Sequence, residues 1–325
     1  MVHAVDGISL LMTESDTVGL VGESGCGKTT LGRLIAKLEQ PDAGKIIFNG
    51  KDVSRLSSQE LKLYWREVQM IFQDPFESLN PRRTVESILG RAFLNHKIAS
   101  GSKLRSTIID LLNMVGLKPG ELYLQRYPHQ FSGGQRQRIG IARAIALRPR
   151  LVIADEPVSS LDISIRAQIL NLLNELQETL GMSYLFISHD LSVVRSLCNF
   201  VVVMYLGKVV EMGPSEDIFF QPIHPYTQAL LSATPIPDPR KARARKRTTI
   251  KGDIPSPVNL PSGCRFRTRC PYQVSKCAEE EPSLQEYLPG HNAACHLSST
   301  LIGSDGPAGA DRVAELVAGN IKREM

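Results

Sequence analysis

The stretch Gly22-Glu23-Ser24-Gly25-Cys26-Gly27-Lys28-Thr29 fits the phosphate-binding pattern G-x-x-x-x-G-K-[ST] at every fixed position. The apolar residues 17–21 before it predict a buried strand, and residues 30–38 after it predict an amphipathic helix, which is the context that this pattern requires. Glycines let such a loop point backbone N–H groups at phosphate oxygens, and the helix start adds partial positive charge. We expect Lys28 to reach the β- and γ-phosphates and Thr29 to bind Mg²⁺. The predicted nucleotide contacts are Gly22, Glu23, Ser24, Gly25, Cys26, Gly27, Lys28, Thr29 and Thr30.

A second group of motifs would supply this site with catalytic groups. The run Phe131-Ser132-Gly133-Gly134-Gln135 precedes a helical pattern, and paired glycines at a helix start leave N–H groups free to bind an anion. Residues 151–154 predict an apolar strand that ends at Asp155 and Glu156. A carboxylate at that edge of an open parallel sheet lies near the phosphate loop. We expect Asp155 to hold Mg²⁺ and Glu156 to orient or deprotonate the attacking water.

Three further polar residues belong to separate motifs. Gln73 belongs to the run Ile71-Phe72-Gln73-Asp74-Pro75, Asp162 opens a predicted helix, and His189 follows the apolar residues 184–187. Taken singly, Asp162 is better interpreted as a helix cap and His189 as an ordinary satisfied polar residue. They gain a functional interpretation only as members of the whole set.

In this order, the motifs resemble those of an ATP-binding-cassette (ABC) ATPase, over roughly residues 4–212. Two nucleotide domains of this family meet head to tail, and each closes the other's ATP site. The resemblance implies that catalysis involves Glu156, His189, Gln73 and Lys28, and that Mg²⁺ is bound by Thr29, Gln73 and Asp155. It implies that Asp162 contributes to nucleotide binding, and that a nucleotide held by the partner is contacted by Ser132, Gly133, Gly134 and Gln135.

The expected fold is therefore α/β, with a P-loop NTPase core, an inserted helical subdomain and a small cysteine-containing C-terminal extension. The predicted boundaries are 1–83 for the first part of the core, 84–147 for the helical subdomain, 148–212 for the second part of the core, 213–297 for the extension and 298–325 for a tail. Residues 200–212 predict a hairpin that closes the core.

Composition limits the classes of partner. The net charge of +5 over 325 residues is too mild to suggest nucleic acid. No apolar run approaches the ~18–20 residues of a spanning helix, and the first residues lack the features of a signal peptide, so membrane association should pass through a partner. Six lysines or arginines fall within 240–247. They predict a solvated linker or, alternatively, a patch that touches anionic lipid headgroups.

Cysteines are concentrated in the extension. Of the six in the chain, Cys264, Cys270, Cys277 and Cys295 have the spacing C-x5-C-x6-C-x17-C, whereas Cys26 and Cys198 are interpreted as packing residues. A cytosolic chain is not expected to hold these four as disulfides, and four thiolates suit zinc or an iron–sulfur cluster. The spacing lacks the C-x2-C pairs usual in zinc sites, and four unconnected thiols remain an alternative.

The cysteines, together with His224-Pro225-Tyr226-Thr227, Ser78-Leu79-Asn80-Pro81 and Ala233-Thr234-Pro235-Ile236-Pro237, resemble the oligopeptide/dipeptide importer subfamily, specifically its second ATPase subunit. This resemblance extends to about His296. It implies an ATP-hydrolysing subunit that powers import of peptides or related solutes, with ATP and Mg²⁺ as cofactors and a [4Fe–4S] cluster or zinc on the cysteines.

The implied partners are a second ABC ATPase subunit in a heterodimer, two integral membrane permease subunits and, through the complex, an extracytoplasmic solute-binding protein. The implied location is peripheral, at the cytoplasmic face of the inner membrane. A soluble ribosome- or chromosome-associated ATPase is the alternative, but the paired cassettes and long coiled coils of those classes are absent here. The family's adenine-stacking aromatic precedes the segment equivalent to Ala4-Val5-Asp6-Gly7. We expect it to be missing, so either the true start lies upstream or adenine binding is weakened.

Overall fold

The structure, a computed structural model, describes residues 2–74, 78–234, 250 and 252–301. Pro75, the segment 235–237, the basic run 240–247 and the tail from residue 302 onward lie outside the described residues.

The described strands are β1 (Thr17–Val21), β2 (Ile47–Phe48), β3 (Lys51–Asp52), β4 (Val68–Ile71), β5 (Leu151–Asp155), β6 (Ser183–Ile187), β7 (Phe200–Tyr205), β8 (Lys208–Pro214), β9 (Gln285–Leu288) and β10 (His291–Ala293). The described α-helices are α1 (Lys28–Ile35), α2 (Ser58–Glu67), α3 (Val85–Asn95), α4 (Gly101–Met114), α5 (Gly133–Ile145), α6 (Ile163–Leu180), α7 (Leu191–Leu197), α8 (Ser215–Phe220), α9 (Pro225–Ala233), α10 (Lys276–Glu279) and α11 (Ser298–Leu301). Short 3₁₀ turns cover Gly120–Tyr123, Pro128–Gln130 and Arg267–Arg269.

Internal contacts divide the chain into two compact units, which interleave along the sequence. We call residues 1–11, 18–31 and 188–325 the P-loop unit, because it contains the phosphate-binding pattern. Residues 12–17 and 32–187 form the helical unit, which contains α2 to α6.

The P-loop unit is built on a mixed sheet. Strands β1 and β7 run parallel in a register that pairs Val18 with Phe200 and Val21 with Val203. Strands β7 and β8 form an antiparallel hairpin, which confirms the hairpin predicted over 200–212. Its turn has positive φ at both central positions, 43° at Leu206 and 81° at Gly207. Hairpin turns of this kind match the twist of the strands that they join.

The C-terminal extension contributes strands to this same sheet. Strand β10 pairs antiparallel with β8 on one side and with β9 on the other, which gives the order β1-β7-β8-β10-β9 within the unit. The N–H of Ala294 continues the contact by donating to the carbonyl of Val210 at 2.8 Å. The extension is therefore attached by backbone hydrogen bonds that do not depend on side-chain identity.

A fully buried carboxylate reinforces this attachment. Glu211 on β8 accepts from the N–H of Ile223 at 2.6 Å and from that of His224 at 3.0 Å. Its Oε1 also lies 2.8 Å from Nε2 of His291, which is itself fully buried. Because a buried carboxylate is tolerated only when its oxygens are satisfied, these contacts join β8, β10 and the segment before α9.

The helical unit holds a parallel sheet ordered β4-β5-β6. Val68 pairs with Leu151, and Leu151 pairs with Ser183. Almost every residue of these strands is buried, as expected for parallel strands covered on both faces. Parallel strands place their carboxyl ends at one edge, so the residues after β4 and β5 come together there.

The expected α/β class is thus confirmed. Within the described ranges, no helix combines the length and apolarity needed to cross a membrane.

Candidate active site

The phosphate-binding loop connects β1 to α1 in the P-loop unit and encloses the ammonium of Lys28. Nζ of Lys28 donates to the carbonyl of Gly22 at 2.8 Å and to that of Glu23 at 2.9 Å, and the side chain is almost completely buried. These bonds hold the ammonium against the inside of the loop. A cation fixed there can neutralise phosphate oxygens without first having to be ordered.

Two glycines are required by the shape of this loop. Gly22 has a φ of 151°, and a Cβ on it would overlap the carbonyl oxygen of Met204. Gly27 has a φ of 106°, and a Cβ on it would overlap the carbonyl oxygen of Ala4. The backbone therefore packs closely against neighbouring chain at both ends of the loop, which only glycine permits.

The other loop residues differ in exposure. Ser24 and Gly25 are exposed, and Thr29 and Thr30 are half-buried in the first turn of α1. Cys26 is buried with its Sγ 3.7 Å from Nζ of Lys28, and burial raises the pKa of its thiol, so it packs as a neutral group. This agrees with the interpretation of Cys26 as a packing residue.

Glu23 has partners that the sequence does not indicate. Its backbone N–H donates to Oη of Tyr226 at 2.8 Å, and its carboxylate pairs with the guanidinium of Arg269. Both partners come from the C-terminal part of the chain. Neither residue was predicted as part of the site; the sequence signals were that Tyr226 belongs to the run His224-Pro225-Tyr226-Thr227 and that Arg269 directly precedes Cys270.

In the helical unit, the structure brings Gln73 and Glu156 together. Nε2 of Gln73 donates to Oε2 of Glu156 at 3.1 Å, and the backbone N–H of Glu156 donates to the carbonyl of Ile187 at 2.9 Å. Asp155, the last residue of β5, directly precedes Glu156 and is buried. The two predicted catalytic side chains therefore lie at adjacent strand ends within hydrogen-bonding distance.

Glu156 has a strained backbone. Its φ is +44°, a left-handed conformation that residues other than glycine seldom adopt. Ser159 holds the turn closed, because its hydroxyl donates to the carbonyl of Glu156 at 3.1 Å. Strained residues of this kind cluster at functional sites, where neighbouring structure fixes a side chain in a required direction.

The predicted signature residues form the start of α5, also in the helical unit. Oγ of Ser132 accepts from the N–H of Gln135 at 3.3 Å, and Oε1 of Gln135 accepts from the N–H of Ser132 at 3.1 Å. This capping box fixes the helix start while Gly133 and Gly134 occupy its first turn, which contains no acidic residue. The positive end of the helix dipole is thus available to an anion.

Asp162 and His189 both lie at exposed positions. Asp162 occupies the N-cap position of α6, as its interpretation as a cap requires, but its side chain makes no capping hydrogen bond. His189 lies in the turn between β6 and α7, where the following Asp190 accepts from the N–H of Ser192 at 3.0 Å.

The four cysteines of the extension lie close enough to interact electrostatically. The N–H of Cys264 donates to the carbonyl of Cys277 at 2.8 Å. Burial, with smaller contributions from other thiols of the group, raises the pKa of Cys270 and that of Cys295 to about 12. However, no three His, Cys, Asp or Glu side chains in the described part of the chain are grouped so that they could hold a metal ion. The metal centre expected from the sequence therefore has no assembled site in this structure.

Comparison with known proteins places these features in a family. The model of the ABC transporter family matches residues 5–159, and that of the oligopeptide/dipeptide transporter C-terminal region matches residues 210–277. The oligopeptide transport ATP-binding protein AppF of Bacillus subtilis is 51% identical over 299 residues, covering 92% of this chain and 90% of that protein. A putative peptide import ATP-binding protein of Brucella ovis is 51% identical, covering 90% of both chains.

Solved structures agree. A dimeric ATP-binding cassette in a post-hydrolysis state, bound to ADP and phosphate, matches with a TM-score of 0.59 and 28% identity over 65% of this chain and 90% of that one. The cbiO1 protein of Clostridium perfringens, part of an ABC transporter complex, matches with a TM-score of 0.60 and 27% identity over 66% of this chain and 84% of that one. The chain therefore belongs to the ABC transporter family of ATP-binding proteins that hydrolyse ATP with Mg²⁺, in the group that carries the oligopeptide/dipeptide transporter C-terminal region.

Proposed function

We propose that this chain is the subunit whose ATP hydrolysis powers import of peptides through a membrane permease. The observation that carries the proposal is its 51% identity, over nine-tenths of its length, to a relative named for oligopeptide transport. The matching C-terminal region points to the same transporter class. Dipeptides, oligopeptides and related small solutes are the cargo class; the ATPase subunit itself does not contact them. This assignment is favoured over a soluble ribosome- or chromosome-associated ATPase.

The chain's own nucleotide would be held by the phosphate-binding loop and by the predicted Mg²⁺ ligands. Lys28 and the loop N–H groups neutralise the β- and γ-phosphates, and Thr29, Gln73 and Asp155 supply oxygen ligands for Mg²⁺. Bound Mg²⁺ neutralises charge on the phosphoryl group that is transferred. Oxygen donors from a hydroxyl, an amide and a carboxylate are the ligands that this ion prefers, so the residues fit it.

Glu156 would orient the attacking water and accept its proton. The hydrogen bond from Gln73 at 3.1 Å supports this role, because it holds the Glu156 carboxylate in one orientation. Loss of the γ-phosphate would change the contacts of Gln73. That change would then be passed to the permease through the segment that follows Gln73. His189 would complete the site as the group that contacts the γ-phosphate.

The surface around Gln73 to Pro81 is the contact that we assign to the cytoplasmic helix of the permease. Its segment from Ser78 to Pro81 is attached to the signature helix α5 through Arg143, whose guanidinium donates to the carbonyl of Ser78 and lies 5.5 Å from the centre of the Phe72 ring. Movement of this segment would therefore displace α5. The first residues of α5 are the predicted contacts to the partner's nucleotide.

A second ABC ATPase would complete each site in a head-to-tail dimer. The helix start of α5 supports this, because Ser132, Gly133, Gly134 and Gln135 lie at its N-terminal end, where the helix dipole attracts an anion. We propose a heterodimer with a distinct ATPase subunit, bound to two permease subunits at the cytoplasmic face of the inner membrane, with a solute-binding protein delivering cargo from outside.

We further propose that Cys264, Cys270, Cys277 and Cys295 bind a [4Fe–4S] cluster. The preference for iron–sulfur rests on the resemblance to the oligopeptide/dipeptide importer subfamily, and zinc is the alternative. Anaerobically purified protein should absorb near ~400 nm and contain iron. Colourless protein with stoichiometric zinc would favour zinc, and four freely titratable thiols without metal would contradict any centre.

The proposed function is tested by peptide uptake into vesicles that contain the assembled transporter. Uptake should require ATP inside the compartment that holds this chain, and should disappear with Lys28→Ala, which removes the phosphate-binding cation. Uptake that continues with Lys28→Ala in every copy of this subunit would contradict the proposal. Co-purification with ribosomes or chromosomal DNA rather than with membrane proteins would support the soluble alternative.

A further inference from the structure

A buried ion pair ties the phosphate-binding loop to the cysteine-bearing extension. Nη1 of Arg269 lies 2.6 Å from Oε2 of Glu23, and Nη2 lies 3.0 Å from Oε1, so guanidinium and carboxylate meet through two hydrogen bonds. Only 7% of the Arg269 side chain and 23% of the Glu23 side chain are exposed. In such a site, removing one partner leaves the other as a desolvated, uncompensated charge.

Glu23 is also held through its backbone. Its N–H donates to Oη of Tyr226 at 2.8 Å, and its carbonyl accepts from Nζ of Lys28 at 2.9 Å. Tyr226 is itself packed against Tyr205 and Phe266, with ring centroids 4.7 and 5.4 Å away. The orientation of Glu23 thus bears directly on where the phosphate-binding ammonium lies.

The charge of Glu23 also matters for the ligand. A carboxylate within a loop that binds a triphosphate repels that ligand, and the repulsion is strong where water is scarce. Arg269 cancels this charge through the two hydrogen bonds. It does so from the 3₁₀ turn Arg267–Arg269, which directly precedes Cys270.

We propose that Arg269 is a positioning residue for ATP binding, which holds Glu23 in place and neutralises its charge beside the bound phosphates. The extension is then required for full ATP affinity, although it contributes none of the phosphate-binding motifs. This inference rests on the ATP site assigned under the proposed function.

The test is a double-mutant comparison of Mg-ATP affinity in the full-length chain, measured with a fluorescent ATP analogue. Arg269→Gln should weaken binding on the order of tenfold, because it leaves Glu23 uncompensated. Glu23→Gln combined with Arg269→Gln should recover to within about threefold of wild type, because the repelling charge is then gone. Arg269→Lys, which keeps the charge and loses the paired geometry, should fall between wild type and Arg269→Gln.

Arg267→Gln is the matched control. It removes an equal charge two residues earlier. Within the described residues, the guanidinium of Arg267 donates hydrogen bonds to the carbonyl and the hydroxyl of Ser262 alone. It should bind ATP as wild type does. A purely structural role for Arg269 predicts no recovery in the double variant, so weak binding there would overturn the inference, as would wild-type affinity of Arg269→Gln or an equal loss in Arg267→Gln. Failure of the wild-type chain itself to bind Mg-ATP would instead overturn the assignment of the site.

Discussion

Nε2 of Gln73 donates a hydrogen bond to Oε2 of Glu156 across 3.1 Å, joining residues that are 83 positions apart in the chain. The contact arises because β4 and β5 are adjacent parallel strands, so the residues that follow them meet at one edge of the sheet. Gln73, which we assign to Mg²⁺ binding and to the permease surface, is thereby linked to Glu156, which we assign to water activation.

Replacing the catalytic carboxylate should separate binding from turnover. Glu156→Gln keeps the size of the side chain but removes the group that accepts a proton from water, so steady-state hydrolysis in the assembled transporter should fall at least about a hundredfold. Mg-ATP affinity should stay close to wild type, because the phosphate-binding loop is unchanged. Phosphate release and analogue binding measure the two quantities.

The exposed Glu178 on α6 offers the control for that change. Glu178→Gln carries the same chemical substitution away from the site and should hydrolyse ATP at the wild-type rate. Hydrolysis by Glu156→Gln at the rate of this control would show that Glu156 is not the catalytic carboxylate.

The close packing at Gly27 predicts that a glycine-to-alanine change in the loop lowers the free energy of unfolding by an amount that depends on the position. Gly27→Ala introduces a Cβ that overlaps the carbonyl oxygen of Ala4, whereas Gly25→Ala meets no atom within 4 Å and bears only the strain of a φ of 80°. The free energy of unfolding should therefore fall further for Gly27→Ala, by about 2 kcal/mol beyond the loss for Gly25→Ala. Urea denaturation measures both, and equal losses would show that the loop does not pack against Ala4 as described.

Acid should destabilise the P-loop unit through His224. Burial lowers the pKa of His224 to about 3 from an ordinary value of 6.5. Between these values the unfolded chain binds a proton that the folded chain does not, so the free energy of unfolding should decrease as pH falls below about 6.5, by up to about 1.4 kcal/mol per pH unit.

His224→Asn isolates this contribution. Asparagine can still accept the capping hydrogen bond that Nδ1 of His224 receives from the N–H of Tyr226, but it does not titrate. Urea denaturation between about pH 7 and about pH 5 should show a shallower loss of stability for the variant than for wild type. An unchanged slope in His224→Asn would contradict the assignment.

Much of the site could be predicted from sequence because its motifs are local. A glycine-rich loop between a strand and a helix, or a carboxylate after an apolar strand, is fixed by residues within a few positions of one another. For that reason the strands before Gly22 and Asp155, the hairpin and the helix after Ser132 appear where the sequence predicts them.

Features that depend on distant pairing could not be predicted. The contact of Arg269 with Glu23 spans 246 positions, and nothing in the residues around either one specifies the other. The same holds for β10, whose short, half-polar sequence gains its strand conformation from pairing with β8. The left-handed backbone of Glu156 is likewise imposed by its surroundings, since glutamate has no intrinsic preference for it.

The composite ATP site is tested most directly by comparing ATP hydrolysis of the purified chain alone with hydrolysis after assembly with a second ATPase subunit, the permease subunits and the solute-binding protein in vesicles. The chain alone should hydrolyse ATP slowly, because Ser132, Gly133, Gly134 and Gln135 act on a nucleotide held by the other subunit. Assembly should raise the rate of ATP hydrolysis. Peptide added on the side of the membrane that holds the solute-binding protein should raise this rate further. A strictly monomeric preparation that hydrolyses ATP as fast as the assembled transporter would contradict this account.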